Sequence, residues 1–446
     1  MSNALPDSTS YVVVGGGVHG LSTAWHLAMT LKQMGKGSGA DVILLDKSHP
    51  GAGSTGVACG IVRNFYMTEP MHTLVKESVG VWTYDPILFG YQQVGFISCG
   101  DKSQIPDYEK MYQNHCAIEY PSDLYVGAEA KTFLKRLWPD FNPHSIEAVL
   151  HEKLGGYSGT ARFVQGMVEM CTRYGVNIHS GVEVQNYQMA NGRVTALETN
   201  KGTVKCDMVV LAVGPWMGKH WELLGKPDRL DVTYQDGSSI KGKDMWTYWR
   251  LEEGEVYYDR PYLTSDQKNP PVLHIELMDT PVPHPSNGRE ISGNVYVYWK
   301  YASERLNCPG LQGGAMPIKL GPKAILDPYG HANDNYQAGS EFADYLTACM
   351  GMFMDNLKGL RKNFKERRNG GIGAFTPDNL PILDWIKDNV FMIADSGHGY
   401  KLTGVGKLLA KQLVSGRPEE ALKPFAFSRY EKGQAFGSGH TKVPWV

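Results

Sequence analysis

A glycine-rich segment near the beginning of the chain has the residue types and the spacing of a dinucleotide-binding turn. Gly15, Gly17 and Gly20 form the pattern G-x-G-x-x-G directly after the apolar residues 11–14. The first glycine of this pattern allows a tight turn, the second lets the backbone approach a pyrophosphate, and the third lets a helix pack closely on a strand. The phosphates then lie at the positive end of the helix dipole. The segment therefore predicts a nucleotide site.

The elements around these glycines follow in the order that such a site needs. Apolar residues keep helical spacing over 21–31, and the apolar run 42–45 ends at Asp46. This pattern predicts a β-α-β unit with a right-handed crossover. An acid at the end of the second strand favours a cofactor with free ribose hydroxyls, such as FAD or NAD, over one with a 2′-phosphate.

The composition excludes several classes of protein. A chain of 446 residues, 42% of them apolar, is long enough for about two or three domains and is not disordered. The 44 Lys and Arg residues balance the 46 Asp and Glu residues, which argues against a nucleic-acid partner. We see no secretory signal and no apolar run long enough to span a membrane. The cysteines are odd in number and lack C-x-x-C spacing, which predicts reduced thiols and a cytoplasmic protein: Cys59, Cys99, Cys116, Cys171, Cys206, Cys308 and Cys349.

The remaining patterns predict an α/β (mixed α+β) fold. Residues 160–174 have helical spacing, 205–213 contain a strand, and 389–413 give a strand, a turn and a helix. Between them, residues 230–303 alternate aromatic and β-branched residues with polar ones, which is typical of antiparallel sheet with one covered face. A helical pattern returns over 341–363. We therefore expect one nucleotide-binding domain assembled from distant segments, and a second domain formed by the inserted pieces.

Four further segments indicate which cofactor is bound. They are residues 51–55 (Gly-Ala-Gly-Ser-Thr), 209–216, 376–382 and 394–401. In order and spacing they resemble the FAD-dependent amino-acid and amine oxidases of the D-amino-acid oxidase superfamily, in the sarcosine oxidase and dimethylglycine dehydrogenase branch. Residues 63–66, 77–82 and 159–162 are similar to the sarcosine oxidase beta-subunit type. The likeness is weak over 226–364.

This resemblance implies a Rossmann-like FAD-binding domain built from discontinuous segments, and a substrate domain with a large antiparallel sheet. The FAD-binding domain would contain residues 8–85, 150–225 and 365–430. The substrate-binding domain would contain 86–149 and 226–364, and 431–446 would be a C-terminal tail. The implied cofactor-binding residues are Gly15, Gly17, Val18, His19, Gly20, Asp46, Lys47, Gly53, Ser54, Thr55, Val184, Val213, Gly214, Trp216, Gly397, His398, Gly399, Tyr400 and Lys401.

The positions at which relatives attach flavin covalently carry other residues here. Monomeric sarcosine oxidases have a linking cysteine where this chain has Gly371. Dimethylglycine dehydrogenases have a linking histidine in the segment that residues 56–58 occupy. A histidine that links FMN in heterotetrameric sarcosine oxidases corresponds to Phe163. The resemblance therefore implies a single non-covalent FAD.

Two cations correspond to carboxylate-binding positions of the family. Arg63 matches the substrate-carboxylate arginine, and arginine makes the bidentate fork that a carboxylate prefers. Lys401 matches a second carboxylate-binding position of sarcosine oxidases, and we expect it at the start of a helix. At Gly60 the chain departs from monomeric sarcosine oxidases, which have another arginine there.

A candidate strand carries the remaining predicted site residues. Period two places Tyr296, Tyr298 and Lys300 on one face of residues 294–300. Oxygen-using relatives keep a lysine over the flavin, and this position aligns with Tyr296. A half-buried aromatic strand without a site role is the alternative interpretation.

The resemblance implies hydride transfer from a small carboxylated amine to flavin, hydrolysis of the imine and reoxidation by O2. Sarcosine, N-alkyl amino acids, glycine and iminodiacetate-like compounds are in range. The alternatives are a dehydrogenase that passes electrons to a carrier protein or quinone, a flavin-binding subunit of a larger oxidase complex, and a monooxygenase, which would need a second nucleotide site. A monomer or small oligomer is expected. No metal site is expected, because the histidines at 19, 26, 220 and 398 lack metal-ligand spacing.

Overall fold

The β-α-β unit predicted from the glycine pattern opens the fold. A computed structural model describes residues 4–301, 310–330, 332–365 and 370–437. The first strand, β1 (Ser8–Val14), lies parallel to β2 (Val42–Asp46). Helix α1 (Val18–Gln33) connects them. Over these described ranges the helices are α1 Val18–Gln33, α2 Ser54–Val57, α3 Glu69–Trp82, α4 Pro86–Phe89, α5 Ile105–Ala117, α6 Ala128–Leu137, α7 Thr160–Arg173, α8 Met217–Leu223, α9 Ser340–Phe353 and α10 Val405–Ser415.

The strands are numbered in chain order over the same ranges. They are β1 Ser8–Val14, β2 Val42–Asp46, β3 Ile61–Val62, β4 Tyr91–Gln92, β5 Phe96–Gly100, β6 Ser122–Val126, β7 Ala148–Glu152, β8 Gly156–Ser158, β9 Asn177–Ser180, β10 Val184–Ala190, β11 Arg193–Thr199, β12 Gly202–Leu211, β13 Arg229–Thr233, β14 Ser239–Asp244, β15 Thr247–Leu251, β16 Glu253–Tyr257, β17 Val272–Leu277, β18 Val282–Pro283, β19 Glu290–Ser292, β20 Val295–Tyr301, β21 Gly310–Ala315, β22 Ile318–Gly321, β23 Gly371–Phe375, β24 Ile382–Lys387 and β25 Val390–Ala394.

An eight-stranded sheet carries the glycine turn. Its order is β10-β11-β12-β1-β2-β9, with β25 beside β12 and β24 beside β25. The strands β9, β2, β1, β12 and β25 run parallel to their neighbours in this series, so their carboxyl ends meet at one edge. Helices α1, α7 and α10 cover one face and share a buried apolar core with it. Ligands of open parallel sheets bind at this edge.

A seven-stranded sheet forms the second large layer. Its order is β16-β21-β20-β17-β5-β7-β6, and its neighbours are antiparallel except for the parallel pair β17 and β5. Helix α9 packs on one side of this sheet in a second apolar core. The opposite side of the sheet carries buried polar residues, and the candidate site lies on this side. The predicted mixed fold with a parallel and a large, mainly antiparallel sheet is confirmed.

A three-stranded sheet joins segments that the sequence assigns to different domains. In the order β22-β15-β23, the strand Gly371–Phe375 pairs with Thr247–Leu251. Segments of the two predicted domains are thus linked by backbone hydrogen bonds as well as by the chain. The domain boundaries stay a prediction, and residues 438–446 of the expected tail lie outside the described ranges.

Two predicted helices differ in extent from the structure. The helix predicted over 341–363 ends at Phe353, because Met354 has extended backbone and short 3-10 turns follow it. Lys401 lies in a 3-10 turn, Gly399–Leu402, and the α-helix begins only at Val405. The backbone turns sharply before Lys401, because the successive residues Ser396 and Gly397 both have positive φ.

Two further predictions from the sequence concern the redox state of the cysteines and the location of the protein in the cell. Six of the cysteines are free thiols, and Cys308 lies outside the described residues. In the part of the chain that the structure describes, no helix is long and apolar enough to cross a membrane. The cytoplasmic location stays a prediction.

Candidate active site

A cavity of about 740 Å³ lies at the carboxyl edge of the eight-stranded sheet and reaches the polar side of the seven-stranded sheet. Of the residues predicted to bind the cofactor, only Gly20 does not line it. A Cβ on Gly20 would lie 1.7 Å from the carbonyl oxygen of Gly15, so this glycine instead allows helix and turn to pack. The predicted residues that line the cavity are Gly15, Gly17, Val18, His19, Asp46, Lys47, Gly53, Ser54, Thr55, Val184, Val213, Gly214, Trp216, Gly397, His398, Gly399, Tyr400 and Lys401.

The glycine turn has the geometry expected of a phosphate-binding loop. Gly15 has φ +104°, and a Cβ there would lie 2.3 Å from the carbonyl oxygen of Ala212 on the neighbouring strand. The N–H of Val18, in the first turn of α1, donates to Thr55 Oγ1 at 3.1 Å. First-turn N–H groups have no carbonyl partner within their helix, so those beyond the Val18 N–H can be offered to an anion.

Asp46 is fixed at the end of β2. Its Oδ2 accepts a hydrogen bond of 2.8 Å from the N–H of Gly16, and its Oδ1 accepts one of 2.8 Å from the N–H of Ser48. The carboxylate therefore lies directly beside the glycine turn, where a ribose attached to the phosphates would be placed.

Asp327 closes the same end of the cavity and was missed by the sequence analysis. Its Oδ1 lies 2.5 Å from Lys47 Nζ, and its Oδ2 accepts a hydrogen bond of 3.0 Å from Trp216 Nε1. The Lys47 ammonium lies 3.8 Å from the centroid of the Trp216 ring. Asp327 lies 280 residues after Lys47, so no local pattern could have identified the contact.

We call residues 395–401 the flavin loop. The carboxylate of Asp395 connects this loop to His19, which belongs to the glycine-rich segment. Asp395 accepts hydrogen bonds from the N–H groups of Gly397 and Gly399, at 3.2 and 2.9 Å, and its Oδ2 lies 2.9 Å from His19 Nε2. Burial would raise the pKa of Asp395, but the hydrogen bond and charge of His19 lower it below its usual range. Asp395 was not predicted as a site residue.

His398 anchors the middle of the flavin loop. Its Nδ1 lies 3.2 Å from the Tyr66 hydroxyl, and its Nε2 lies 3.1 Å from the carbonyl oxygen of Asn379. The loop depends on Gly397, which has φ +76° and on which a Cβ would lie 2.5 Å from the Phe375 ring. Burial, followed by the charge of Lys401, lowers the pKa of His398, so the ring is neutral.

The predicted cations Arg63 and Lys401 both line the far end of the cavity. Arg63 is 5% exposed, follows β3, and donates a hydrogen bond to the carbonyl oxygen of Phe65. Its guanidinium carbon lies 5.0 Å from the centroid of the Tyr66 ring. Burial and then the charge of Arg63 lower the pKa of Lys401 to about 7, while Glu253 and Asp395 oppose that shift.

The predicted strand trio is only partly at the site. Tyr296 and Tyr298 line the cavity, as the period-two pattern predicts for one face of β20. Lys300 is not among the residues that line the cavity, and its catalytic role stays a prediction. Lys300 lies farther along the strand, is 2% exposed, and holds its ammonium 4.3 Å from the centroid of the Tyr157 ring.

Two polar residues at this end were missed by the sequence analysis. Glu253 is 6% exposed, lines the cavity and accepts a hydrogen bond of 3.2 Å from the Tyr298 hydroxyl. His274 also lines it, with Nδ1 3.1 Å from Ser98 Oγ and with no hydrogen-bond partner for Nε2 among the described residues. Burial and then Arg63 lower the pKa of His274 to about 3, so its ring is neutral.

The residues present fit the FAD that the sequence implies. The glycine turn and the helix N-terminus suit a pyrophosphate, the adjacent Asp46 suits a ribose, and the cavity continues past the flavin loop to Arg63.

The positions at which relatives attach flavin covalently are packed against other residues in this chain. A Cβ on Gly371 would lie 3.3 Å from Val57 Cγ2. Phe163 is fully buried, with its ring centroid 4.5 Å from that of Trp82. No group of three potential metal ligands occurs within the described ranges, and the absence of a metal stays a prediction.

Comparisons with known proteins agree with this geometry. Residues 10–412 match the family model described as "DAO: FAD dependent oxidoreductase". The chain is 25% identical over 450 residues to the mitochondrial pyruvate dehydrogenase phosphatase regulatory subunit of Mus musculus. This alignment covers 96% of the chain and 44% of that protein. It is 25% identical over 439 residues to the peroxisomal sarcosine oxidase of Mus musculus, with 96% and 97% covered.

A solved structure shows the same fold. The L-proline dehydrogenase from P. horikoshii superposes with a TM-score of 0.74 at 19% identity, covering 96% of this chain and 99% of that one. The chain spans less than half the length of several curated relatives that it matches, with shares between 25% and 48%.

Proposed function

Because the chain belongs to the DAO family of FAD dependent oxidoreductases and most of the residues predicted to bind FAD line one cavity, we propose that it oxidises a small carboxylated amine. Secondary amines and N-substituted amino acids, of the sarcosine or iminodiacetate type, are the proposed substrates. The carbon next to the nitrogen loses a hydride, and the resulting imine hydrolyses in water. FAD, when bound, supplies the hydride acceptor.

The observation that carries this proposal is the pair of cations at the far end of the cavity. Arg63 and Lys401 lie close enough that the charge of one lowers the pKa of the other. Two buried like charges are unfavourable unless an anion joins them. A substrate carboxylate held by both would be charge-neutralised and fixed in orientation.

The residues around the cations would hold the rest of the substrate. The rings of Phe96, Tyr296 and Tyr298 line the same cavity and would exclude water from the carbon that is oxidised. His274 is neutral and lines the wall as well, so it adds no third cation. Positioning of substrate against the flavin is the main contribution of the protein to such a reaction.

Reoxidation by O2 is part of the proposal, and one observation favours a second candidate. The position at which oxygen-using relatives keep a lysine over the flavin aligns with Tyr296, which lines the cavity. A dehydrogenase that passes electrons to a carrier protein or quinone, or a flavin-binding subunit of a larger complex, would suit that residue. Mixing the reduced protein with air-saturated buffer in a stopped-flow instrument separates the candidates, because only an oxidase reoxidises within one turnover time.

A screen of carboxylated amines tests the substrate class. Under anaerobic conditions we expect at least one of sarcosine, N-alkyl amino acids, glycine and iminodiacetate to bleach the flavin absorbance. The matched amine without a carboxylate should bleach it at least tenfold more slowly, since a charged hydrogen bond contributes roughly 1.5–3 kcal/mol. Equal rates for the two members of each pair would contradict the proposal.

We propose that the FAD is held without a covalent bond. A cysteine or histidine is needed for the attachments described above, and this chain has Gly371, Val57 and Phe163 there. Precipitation of the yellow protein with acid should therefore release all the flavin into the supernatant. Flavin that stays with the pellet after washing would show a covalent link at another residue.

A further inference from the structure

The lining of the substrate end contains one buried carboxylate that the carboxylate-binding role does not explain. Glu253 lies at the beginning of β16, where it pairs with Gly314 of β21. Gly314 in turn lies opposite Tyr298 of β20. A Cβ on Gly314 would lie 2.3 Å from the Tyr298 hydroxyl oxygen, so only glycine leaves room for that hydroxyl to reach Glu253 Oε1.

The charge of Glu253 is placed against the two cations of the site. Glu253 and Lys401 line the same cavity, and the charge of Glu253 opposes the lowering of the Lys401 pKa. A carboxylate that is 6% exposed is costly to bury. The neighbouring Glu252 has a different role, because its Oε1 lies 2.7 Å from the guanidinium of Arg250. The substrate end is therefore bipolar, with two cations and one anion along a single cavity.

A ligand that complements this end has a carboxylate at one end and an N–H donor at the other. We propose that Glu253 binds the amine of the substrate and removes the proton from its ammonium form, which selects primary and secondary amines. This rests on the proposed function. In the step, an N–H bond of the ammonium breaks, an O–H bond forms on the Glu253 carboxylate, and the electron pair of the broken bond stays on nitrogen. The neutral amine is then competent to lose hydride.

A tertiary amine fits this arrangement less well. Once its single ammonium proton has moved to Glu253, it has no N–H left to donate. A primary or secondary amine keeps at least one donor for the carbonyl oxygen of the protonated Glu253 carboxyl group or for the Tyr298 hydroxyl oxygen. The site should therefore prefer sarcosine-like over N,N-dimethylated substrates of the same length.

Anaerobic flavin reduction by the best amine substrate, measured against pH, tests the proposal. In Glu253→Gln, the rate of flavin reduction at limiting substrate should fall tenfold for each pH unit below the pKa of the substrate amine, because only amine that is already neutral reacts. In the wild type this fall should begin at a lower pH, and Glu253→Asp should restore part of the difference. The charged and titratable groups that share the cavity lining with Glu253 are common to both proteins, and they include Arg63, Lys401, Tyr296, Tyr298, His274, Glu252, Cys59, His398 and Asp395.

The matched control is Glu255→Gln. Glu255 lies two residues farther along β16, on the same face and fully buried, but it does not line the cavity. Its variant should keep the wild-type pH profile. FAD content and melting temperature of each variant show whether the protein is folded.

A ligand that has no amine separates failure of this inference from failure of the proposed function. Methoxyacetate has the carboxylate and lacks the amine, so its affinity in Glu253→Gln should stay within about threefold of the wild type. An unchanged pH profile in Glu253→Gln would overturn the inference. So would an equal loss of amine reactivity and methoxyacetate affinity, since Glu253 would then act through Arg63 or Lys401. If methoxyacetate fails to bind the wild type, the carboxylate site itself is wrong.

Discussion

At the scale of single residues, the chemistry of the site depends on how burial changes charge. An arginine guanidinium stays charged in proteins, whereas a buried lysine loses its proton readily. Burial and the charge of Arg63 lower the pKa of Lys401 to about 7. One cation of the proposed carboxylate site is thus permanent and the other depends on pH.

Lys401 should therefore make carboxylate binding pH-dependent. The ammonium is present below about pH 7 and is lost above it, so the Kd of methoxyacetate should rise as pH increases from about 6 to about 8. Lys401→Met should weaken this ligand roughly tenfold at the lower pH and should give a flat profile. Titration of the flavin absorbance measures both effects.

Lys300 supplies the matched control for this prediction. It is also a buried lysine, but it does not line the cavity. Lys300→Met should keep the wild-type pH profile. Methoxyacetamide, which is uncharged, should lose little affinity in Lys401→Met. If it loses as much as methoxyacetate, Lys401 shapes the site and does not bind the carboxylate.

At the scale of elements, one carboxylate joins the flavin loop to the glycine turn. Asp395 accepts two backbone hydrogen bonds from its own loop and faces His19 at the first turn of α1. His398 holds the loop separately, through Tyr66 and Asn379. The contact between Asp395 and His19 therefore connects two parts of the predicted cofactor site that are 376 positions apart in the chain.

Asp395→Asn should weaken FAD binding by roughly tenfold or more. The amide keeps the size of the side chain but removes the charge that favours the donors around it, and charged hydrogen bonds contribute roughly 1.5–3 kcal/mol. Quenching of FAD fluorescence on binding to the apoprotein measures the Kd. Asp388→Asn, an exposed carboxylate nearby in the chain, should bind FAD as the wild type does. Equal affinities in all three proteins would contradict a role for the contact.

The sequence predicts those parts of the site whose residues are neighbours along the chain. Gly15, Gly17 and Asp46 lie within one β-α-β unit, and each lines the cavity as its position in that unit predicts. The acidic residue Glu253 gives no such signal, because a charged residue in a strand is usually exposed. Only the pairing of β16 with β21 and β20 brings it to Tyr298.

The position of Lys300 outside the cavity lining has a similar physical cause. Period two predicts correctly that Lys300 shares a face with Tyr296 and Tyr298. A cavity, however, covers only part of a strand, and its extent is set by the elements that pack on that face. The ring of Tyr157 lies against Lys300 where the cavity has already ended. Which residues share a face could be predicted, but not where the cavity stops.

At the scale of the whole molecule, the cavity joins the two large sheets. The eight-stranded sheet contributes the glycine turn and Asp46, and the seven-stranded sheet contributes Glu253, His274 and Tyr298. A cofactor that fills this space would contact both layers. Its binding energy would then contribute to the stability of the folded chain and not only to chemistry.

FAD should therefore raise the melting temperature of the apoprotein in a concentration-dependent way. A ligand that binds only the native state stabilises it by about 2.7 kcal/mol at a hundred times its Kd. Differential scanning calorimetry of the apoprotein at increasing FAD concentration measures the effect. The increment at a fixed FAD concentration should be smaller in Asp395→Asn, because the affinity is lower. It should be unchanged in Glu253→Gln, since that side chain faces the substrate end. A melting temperature that does not change with FAD would mean that the cofactor binds the native state too weakly, and would contradict the assignment of this cavity.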